Sequence, residues 1–131
     1  LLVFGFGAAA GYLSDLGMVN VRRHEMDLTR YALDALSGRY GDDISVHGPA
    51  NVEVRGGVLS FEFGGIHPHD ISQVLDQRNV CIRAGHHCAK PLMRVLGVNA
   101  TARASLYLYN DHSDVDALVD ALDGATDIFG F

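Results

Sequence analysis

The sequence is poor in several residue types whose abundance would indicate particular functions. Its 10 basic residues are outnumbered by 16 acidic ones, for a net charge of −6. This balance argues against nucleic-acid binding, because that function needs a basic face. The two cysteines, Cys81 and Cys88, are too few for a disulfide framework and favour a reducing, cytoplasmic setting. Small molecules or proteins are therefore the partners to expect.

Long apolar runs are also scarce. The opening stretch, residues 1–10, is apolar but lacks the basic flank of a signal peptide and is too short to span a bilayer. It continues into a glycine-interrupted helix over 3–16, and no methionine starts the chain. We expect this helix to pack against something outside the chain, which we take to be truncated at its N-terminus. The alternative is a core helix of a complete small domain.

Lysine occurs once, as Lys90. It is therefore the only residue that could form a Schiff base with a carbonyl cofactor. It adjoins Pro91 in what should be an exposed first helical turn, with no phosphate-binding loop nearby. We do not expect this chain to hold such a cofactor by itself.

What the sequence does contain predicts one globular domain. It has 131 residues, 48% of them hydrophobic and 20% charged. Its periodicities predict an α+β fold, a small sheet of about four strands covered by helices on one face. The predicted strands span 44–47, 58–63, 80–83 and 101–109. We expect Asn20 to cap a helix over 20–36, and Ser113 to form a capping box with Asp116 at the last helix.

Two of these strands carry residues of interest. In strand 80–83, Cys81 is expected to point into the core as a small apolar residue. In strand 101–109, Arg103 shares a predicted face with Tyr107 and Tyr109. The planar guanidinium of Arg103 suits bidentate binding of a carboxylate, and a structural ion pair is the alternative.

Residues 83–93, RAGHHCAKPLM, combine a thiol, two adjacent histidines and an arginine just before a predicted helix. A free cysteine has a pKa of about 8.5, and a helix N-terminus or a neighbouring cation favours the thiolate. The spacing therefore makes Cys88 a candidate nucleophile on a loop that leads into a helix. A buried structural cysteine beside two surface histidines fits the spacing equally well.

The run RAGHHCAKPLM resembles the cysteine loop of SufS-type cysteine desulfurases, pyridoxal-phosphate (PLP) enzymes that remove sulfur from cysteine. The likeness continues through GIHPHDISQVLDQRNVCIRAGHHCA and ATARASLYLYN, and covers nearly all of the chain from about Gly17. The short G-H-H-C-A loop resembles the SufS group more than the IscS group. Related selenocysteine lyases remain possible.

The resemblance implies roles for particular residues. Cys88 would be the nucleophile that takes the sulfur as a persulfide, and Arg103 would bind the substrate carboxylate. Arg83 would lie at the rim of the active site, and a plain surface salt bridge is the alternative for it. His86 and His87 could polarise or orient the thiol, without an indication of which of them does so, if either.

The resemblance also implies partners. The sulfur would pass to an acceptor protein of SufE or SufU type for iron–sulfur cluster assembly. In the SufU case a histidine of the H-P-H-D motif reaches the zinc of the acceptor, and His69 is the candidate by position. The family forms homodimers.

At the level of domains, the resemblance implies that residues 1–131 are a single small C-terminal domain of a fold-type I PLP enzyme. Residues 1–18 would link it to a large domain that holds the PLP lysine and most of the dimer interface. We therefore expect this chain alone to be unable to desulfurate cysteine.

A rival hypothesis comes from a different class of protein. A non-enzymatic metal-binding or sulfur-carrying module could use Cys88 together with histidines. Those available are His67, His69, His86 and His87. Two histidines at a helix start are by themselves no metal site, so we predict no intrinsic metal.

Overall fold

The structure, a computed structural model, describes residues 2–130. Leu1 and Phe131, the two ends of the predicted domain, lie outside the described residues. The elements run in the order α1 (Leu2–Leu16), α2 (Met18–Tyr40), β1 (Ile44–His47), β2 (Val58–Phe63), α3 (Pro68–Asp76), β3 (Arg83–Gly85), α4 (Lys90–Leu96), β4 (Thr101–Ser105) and α5 (His112–Phe129).

The four strands form one antiparallel sheet in the order β1-β2-β4-β3. Leu59, Phe61 and Phe63 of β2 alternate with less buried residues and are fully buried. Across the sheet they share a face with Ala102 and Ala104 of β4, because alternate residues of a strand point to the same side. The α+β prediction, with four strands, is confirmed.

Helices α2, α3 and α5 supply the rest of this core. Their buried apolar residues recur at helical spacing and pack against the inner face of the sheet. They include Leu36 and Tyr40 of α2, Ile71 and Leu75 of α3, and Val115, Leu118 and Leu122 of α5. The opposite face of the sheet carries mostly polar side chains, and the loop that carries Cys88 contacts it through His87 and Thr101.

Both predicted helix caps are wrong in position. Helix α2 begins at Met18, after Gly17 with a φ of 82°, and Asn20 lies inside the helix with its side-chain amide donating to the carbonyl of Leu16. At α5 the N-cap is Asp111, which accepts from the backbone of Ser113 and Asp114, and Asp114 completes the capping box. The carboxylate two residues earlier caps this helix in place of the hydroxyl of Ser113.

Two strand predictions need correction. Strand β4 ends at Ser105, because Tyr107 and Asn110 close a turn on each other, so Tyr107 and Tyr109 do not share a strand face with Arg103. Strand β3 begins only at Arg83, and Cys81 before it is exposed, so its predicted core position is wrong. Its neighbours Val80 and Ile82 pack against the core instead.

Helix α1 has no buried residue, and among the helices and strands it makes its main contacts with α2. Within residues 2–130, no individual helix combines the length and apolarity needed to cross a membrane. Only α1 taken together with the segment Met18–Asp43 meets those two criteria, and the two are bent by 78° where they meet.

Candidate active site

The outer face of the sheet carries a row of polar residues, one from each strand. The strand register pairs His47 with Ser60, Ser60 with Arg103, and Arg103 with Arg83. Residues directly opposite each other in an antiparallel pair have side chains on the same face, about 5 Å apart at Cβ. The side chains of the row therefore lie side by side on the face turned away from the core.

The two arginines of this row have no anionic partner among residues 2–130. Arg103 is half-buried, and its Nε is a buried donor without a hydrogen-bond acceptor in that range. Arg83 is exposed and stands directly opposite Arg103 on the neighbouring strand. Like charges in that position repel each other, and a buried unpaired donor is costly, so this end of the sheet favours a bound anion.

The loop after β3 turns sharply and presents Cys88. Gly85, His87 and Cys88 have φ values of 129°, 52° and 60°, the last two uncommon for residues with a side chain. The backbone N–H of Cys88 donates to Nδ1 of His86 at 3.2 Å, and the N–H of Ala89 donates to the carbonyl of His86 at 2.8 Å. This turn ends at Ala89, the N-cap residue of α4.

Cys88 is exposed, which does not fit the alternative of a buried structural cysteine. Its Sγ lies 3.9 Å from Nη2 of Arg83. The loop therefore brings the thiol next to one guanidinium, and β3 pairs that arginine with the strand that carries the other.

His87 is half-buried and points its ring at strand β4. Its Nε2 lies 3.1 Å from the carbonyl oxygen and 2.9 Å from Oγ1 of Thr101, which is fully buried. Burial, and after it the charge of Arg103, lowers the pKa of His87, and Arg83 and His86 act in the same direction. The ring is therefore neutral near pH 7.

Sequence reasoning missed Thr101, which joins the loop to the sheet. The alternation in 101–105 does place Thr101 on the face of Arg103, two residues away. However, no spacing rule links position 87 to position 101, because the contact depends on the turn at His87 and Cys88.

His69 lies on a different element from the cysteine loop. It is exposed in the first turn of α3, where the His67 side chain caps the helix by accepting from the N–H of His69 at 3.3 Å. The two rings stack at 5.3 Å. Across the described part of the chain, no three His, Cys, Asp or Glu side chains are grouped so as to hold a metal ion. The metal-binding alternative thus finds no support in the geometry.

A family model described as aminotransferase class-V matches residues 1–118. The chain belongs to this family. It is similar to proteins named as cysteine desulfurases. It is 47% identical over 126 residues to a probable cysteine desulfurase of Halalkalibacterium halodurans, and this match covers 96% of this chain and 30% of the relative. It is 49% identical over 125 residues to a cysteine desulfurase of Haloferax volcanii, covering 95% of this chain and 29% of the relative.

A solved structure shows the same likeness in three dimensions. The cysteine desulfurase of Escherichia coli, solved in an S-sulfonic acid form, superposes with a TM-score of 0.84 at 35% identity. The match covers 96% of this chain and 30% of that structure. The chain thus spans about 30% of the length of the curated relatives that it matches.

Proposed function

We propose that this chain is the C-terminal small domain of a SufS-type, PLP-dependent cysteine desulfurase that works in the cytoplasm as a homodimer. The observation that carries the proposal is the exposed thiol of Cys88 beside Arg83, on a loop tied to the strand that holds the unpaired Arg103. The likeness to proteins named as cysteine desulfurases supports the substrate, L-cysteine.

The arginine pair would bind the carboxylate of the substrate. The guanidinium of Arg103 is planar, and its buried Nε needs an acceptor, so a carboxylate can take two parallel hydrogen bonds from it. A bound carboxylate would also offset the repulsion between Arg103 and Arg83. The substrate would then be bound close to the thiol of Cys88.

The thiol would take the sulfur directly. As a thiolate, Cys88 attacks the sulfur of the bound cysteine, and an S–S bond forms while the C–S bond of the substrate breaks. The electron pair of the broken bond stays with the substrate carbon, which takes up a proton to give L-alanine. Cys88 is left as a persulfide, so the atoms and electrons balance without a further oxidant.

PLP, when bound, supplies an electron sink for loss of the substrate Cα proton. The described residues do not by themselves form a site for it. Lys90, the only lysine in the chain, is exposed at the first residue of α4, beside Pro91. The PLP lysine and the phosphate site would therefore belong to a large domain outside this chain, and this chain alone would release no alanine.

The persulfide would pass to an acceptor protein of SufE or SufU type for iron–sulfur cluster assembly. Cys88 and His69 are both exposed, so a docking protein can reach both side chains. His69 has an imidazole on the surface of α3 that could serve as a zinc ligand for a SufU-type acceptor.

The proposal is tested with the PLP-loaded protein that contains this domain behind its large domain. Cys88→Ser should abolish formation of the protein persulfide and of alanine beyond background, because serine does not attack a thiol sulfur. The matched variant Cys81→Ser removes the other exposed cysteine and should retain activity. Persulfide labelling with alanine detection measures both, and an active Cys88→Ser protein would refute the assignment.

A further inference from the structure

The loop that carries Cys88 has an unfavourable backbone conformation. His87 and Cys88 both have left-handed φ values, 52° and 60°. Side-chain-bearing residues keep such values only where the surrounding structure holds them. The contacts that stabilise this turn therefore determine the position of the Cys88 thiol.

The two histidines of the loop hold it in different ways. His86 acts locally, since its Nδ1 accepts from the N–H of Cys88 two residues on. The ring of His87 instead leaves the loop and contacts Thr101, 14 residues away, at 2.9 Å and 3.1 Å. Thr101 is fully buried, pairs with Gly85 across the sheet, and lies two residues before Arg103 on the same strand.

The contact fixes the tautomer of His87. A carbonyl oxygen only accepts, so Nε2 must carry the hydrogen in order to bond the carbonyl of Thr101. Nδ1 is then an unprotonated nitrogen, and it is buried with no hydrogen-bond partner among residues 2–130. Protonation would leave a buried N–H there without an acceptor, close to two guanidinium groups.

We propose that His87 is a positioning residue. Its ring clamps the cysteine loop onto strand β4, so that the thiol of Cys88 and the guanidinium of Arg103 keep a fixed spacing, matched to a substrate that carries both a sulfur and a carboxylate. This role deepens the proposed function and rests on it. In this proposal His87 orients the thiol through its contact with Thr101, whereas His86 only stabilises the local turn.

The spacing is measured with two alkylating reagents that differ only in charge. Iodoacetate carries a carboxylate and iodoacetamide does not, so the ratio of their rate constants reports how close the thiol stands to fixed cations. Any change in thiol basicity cancels, because both reagents attack the same thiolate. The 131-residue chain with Cys81→Ser is used, so that Cys88 is the only thiol, and N-acetylcysteine amide gives the reference ratio.

In the parent protein the ratio should exceed the reference, and Arg103→Gln should lower it by about threefold, the size expected for loss of one partly screened charge. His87→Ala should lower it by a similar factor, since the loop then leaves β4. His87→Gln keeps an amide donor that can reach the carbonyl of Thr101, and should restore most of the ratio. Thr101→Val, which removes only the hydroxyl, should fall between the parent and His87→Ala.

Each outcome decides between specific alternatives. If Arg103→Gln lowers the ratio and His87→Ala does not, the positioning role is wrong and the proposed carboxylate site stands. If Arg103→Gln leaves the ratio unchanged, both are wrong. If His87→Gln behaves like His87→Ala, the imidazole has a role that an amide donor cannot replace, and positioning alone is refuted.

A second measurement needs no variant and so does not depend on the variants folding. Nitrogen-15 NMR of the imidazoles in the parent chain should show His87 as the Nε2–H tautomer, mostly neutral at the ordinary histidine pKa of about 6.5. An Nδ1–H tautomer, or a His87 ring that is half protonated at that pH, would overturn the clamp.

Discussion

Arg103 differs from Arg22, Arg39 and Arg55 in what its guanidinium contacts. Arg22 pairs with Glu25, Arg39 pairs with Asp123, and Arg55 donates to three backbone carbonyls. Arg103 has no such partner within residues 2–130, and its Nε is buried. A half-buried guanidinium in that state is costly unless a ligand supplies the acceptor.

Arg103→Lys should therefore impair the PLP-loaded enzyme through substrate binding. Lysine keeps the charge but loses the planar pair of donors, so we expect kcat/KM for L-cysteine to fall by about 10- to 100-fold, the equivalent of about 1.5–3 kcal/mol for hydrogen bonds to a charged group. Steady-state alanine production measures it. Arg94→Lys, an exposed arginine on α4, is the control, and an unchanged kcat/KM in Arg103→Lys would exclude a carboxylate-binding role.

His69 should matter only when an acceptor is present. If its imidazole engages an acceptor of SufU type, His69→Ala should lower the ratio of acceptor-stimulated to basal turnover by about tenfold, the effect of losing one metal-supporting interaction. Gln73→Ala, an exposed change on the same helix, should keep that ratio. Equal stimulation of the His69→Ala protein and its parent would rule out this docking role.

At single positions, the sequence indicates candidate residues, and the structure determines how they are oriented. Cys88 is a candidate because of the thiol, cation and helix start around it, and Arg103 because of the strand alternation, and the roles of both residues stay predictions. The orientation predicted for Cys81 was wrong. Its small apolar side chain suggests burial, but its neighbours Val80 and Ile82 pack against the core, so Cys81 faces outward. The contact of His87 with Thr101 was not predictable, because it depends on two left-handed residues without glycine.

At the level of elements, a polar cluster joins the end of α2 to α5. The hydroxyl of Tyr40 lies 2.6 Å from the carbonyl of Val119 and 2.9 Å from Oδ1 of Asp123. Arg39 reaches the other oxygen of Asp123 at 2.9 Å. Burial and the hydrogen bond to Asp123 raise the pKa of Tyr40, so Tyr40 stays a neutral donor. The hydrogen bond from Arg39 lowers the pKa of Asp123, and the bond from Tyr40 adds to this effect.

This cluster predicts a loss of stability in acid. The folded-state pKa of Asp123 lies below its unfolded value, near 3.9. The contribution of Asp123 to the free energy of unfolding is therefore fully present above about pH 4. It is lost as the pH falls through the lower pKa of the folded state. Asp123→Asn should be less stable at pH 7 and should lose less stability than the parent between pH 4 and pH 2.

Urea unfolding at several pH values measures this effect. Asp127→Asn, one turn further along α5 and exposed, should keep the parent's acid dependence. Tyr40→Phe removes the hydroxyl that donates to Asp123. It should lower the free energy of unfolding at pH 7 by about 1 kcal/mol, the usual contribution of a buried hydroxyl's hydrogen bonds. An Asp123→Asn protein with the parent's full acid dependence would show that this link contributes nothing.

The ends of the elements were harder to predict than their existence. The sequence predicted a helix over 20–36, yet α2 runs through Gly38 to Tyr40 and is capped by Gly41, which has a φ of 53°. Both glycines fit a stop signal, and only packing decides between them: Tyr40 must stay helical to reach α5. Similarly, β4 ends at Ser105 because a turn closed by Asn110 competes with further pairing.

On the scale of the whole molecule, the core closes without α1. Leu2, Phe4 and Phe6 are 92%, 84% and 78% exposed, and no residue of α1 is buried. The predicted helix is present and its apolar side chains face solvent. A helix that exposes large apolar side chains all round its surface in a folded chain marks an interface.

We therefore expect the 131-residue chain to associate with itself through α1. Phe4→Gln with Phe6→Gln removes two large exposed apolar side chains and should weaken association at least about tenfold, since burial of each is worth roughly 1.5–3 kcal/mol. Sedimentation velocity over a series of concentrations measures the change. Val95→Gln alters an equally exposed apolar residue on α4, 83% exposed, and should leave association unchanged. A parent chain that sediments as a monomer at every concentration would show that this surface has no affinity for a second copy, and its partner would then have to differ from this chain.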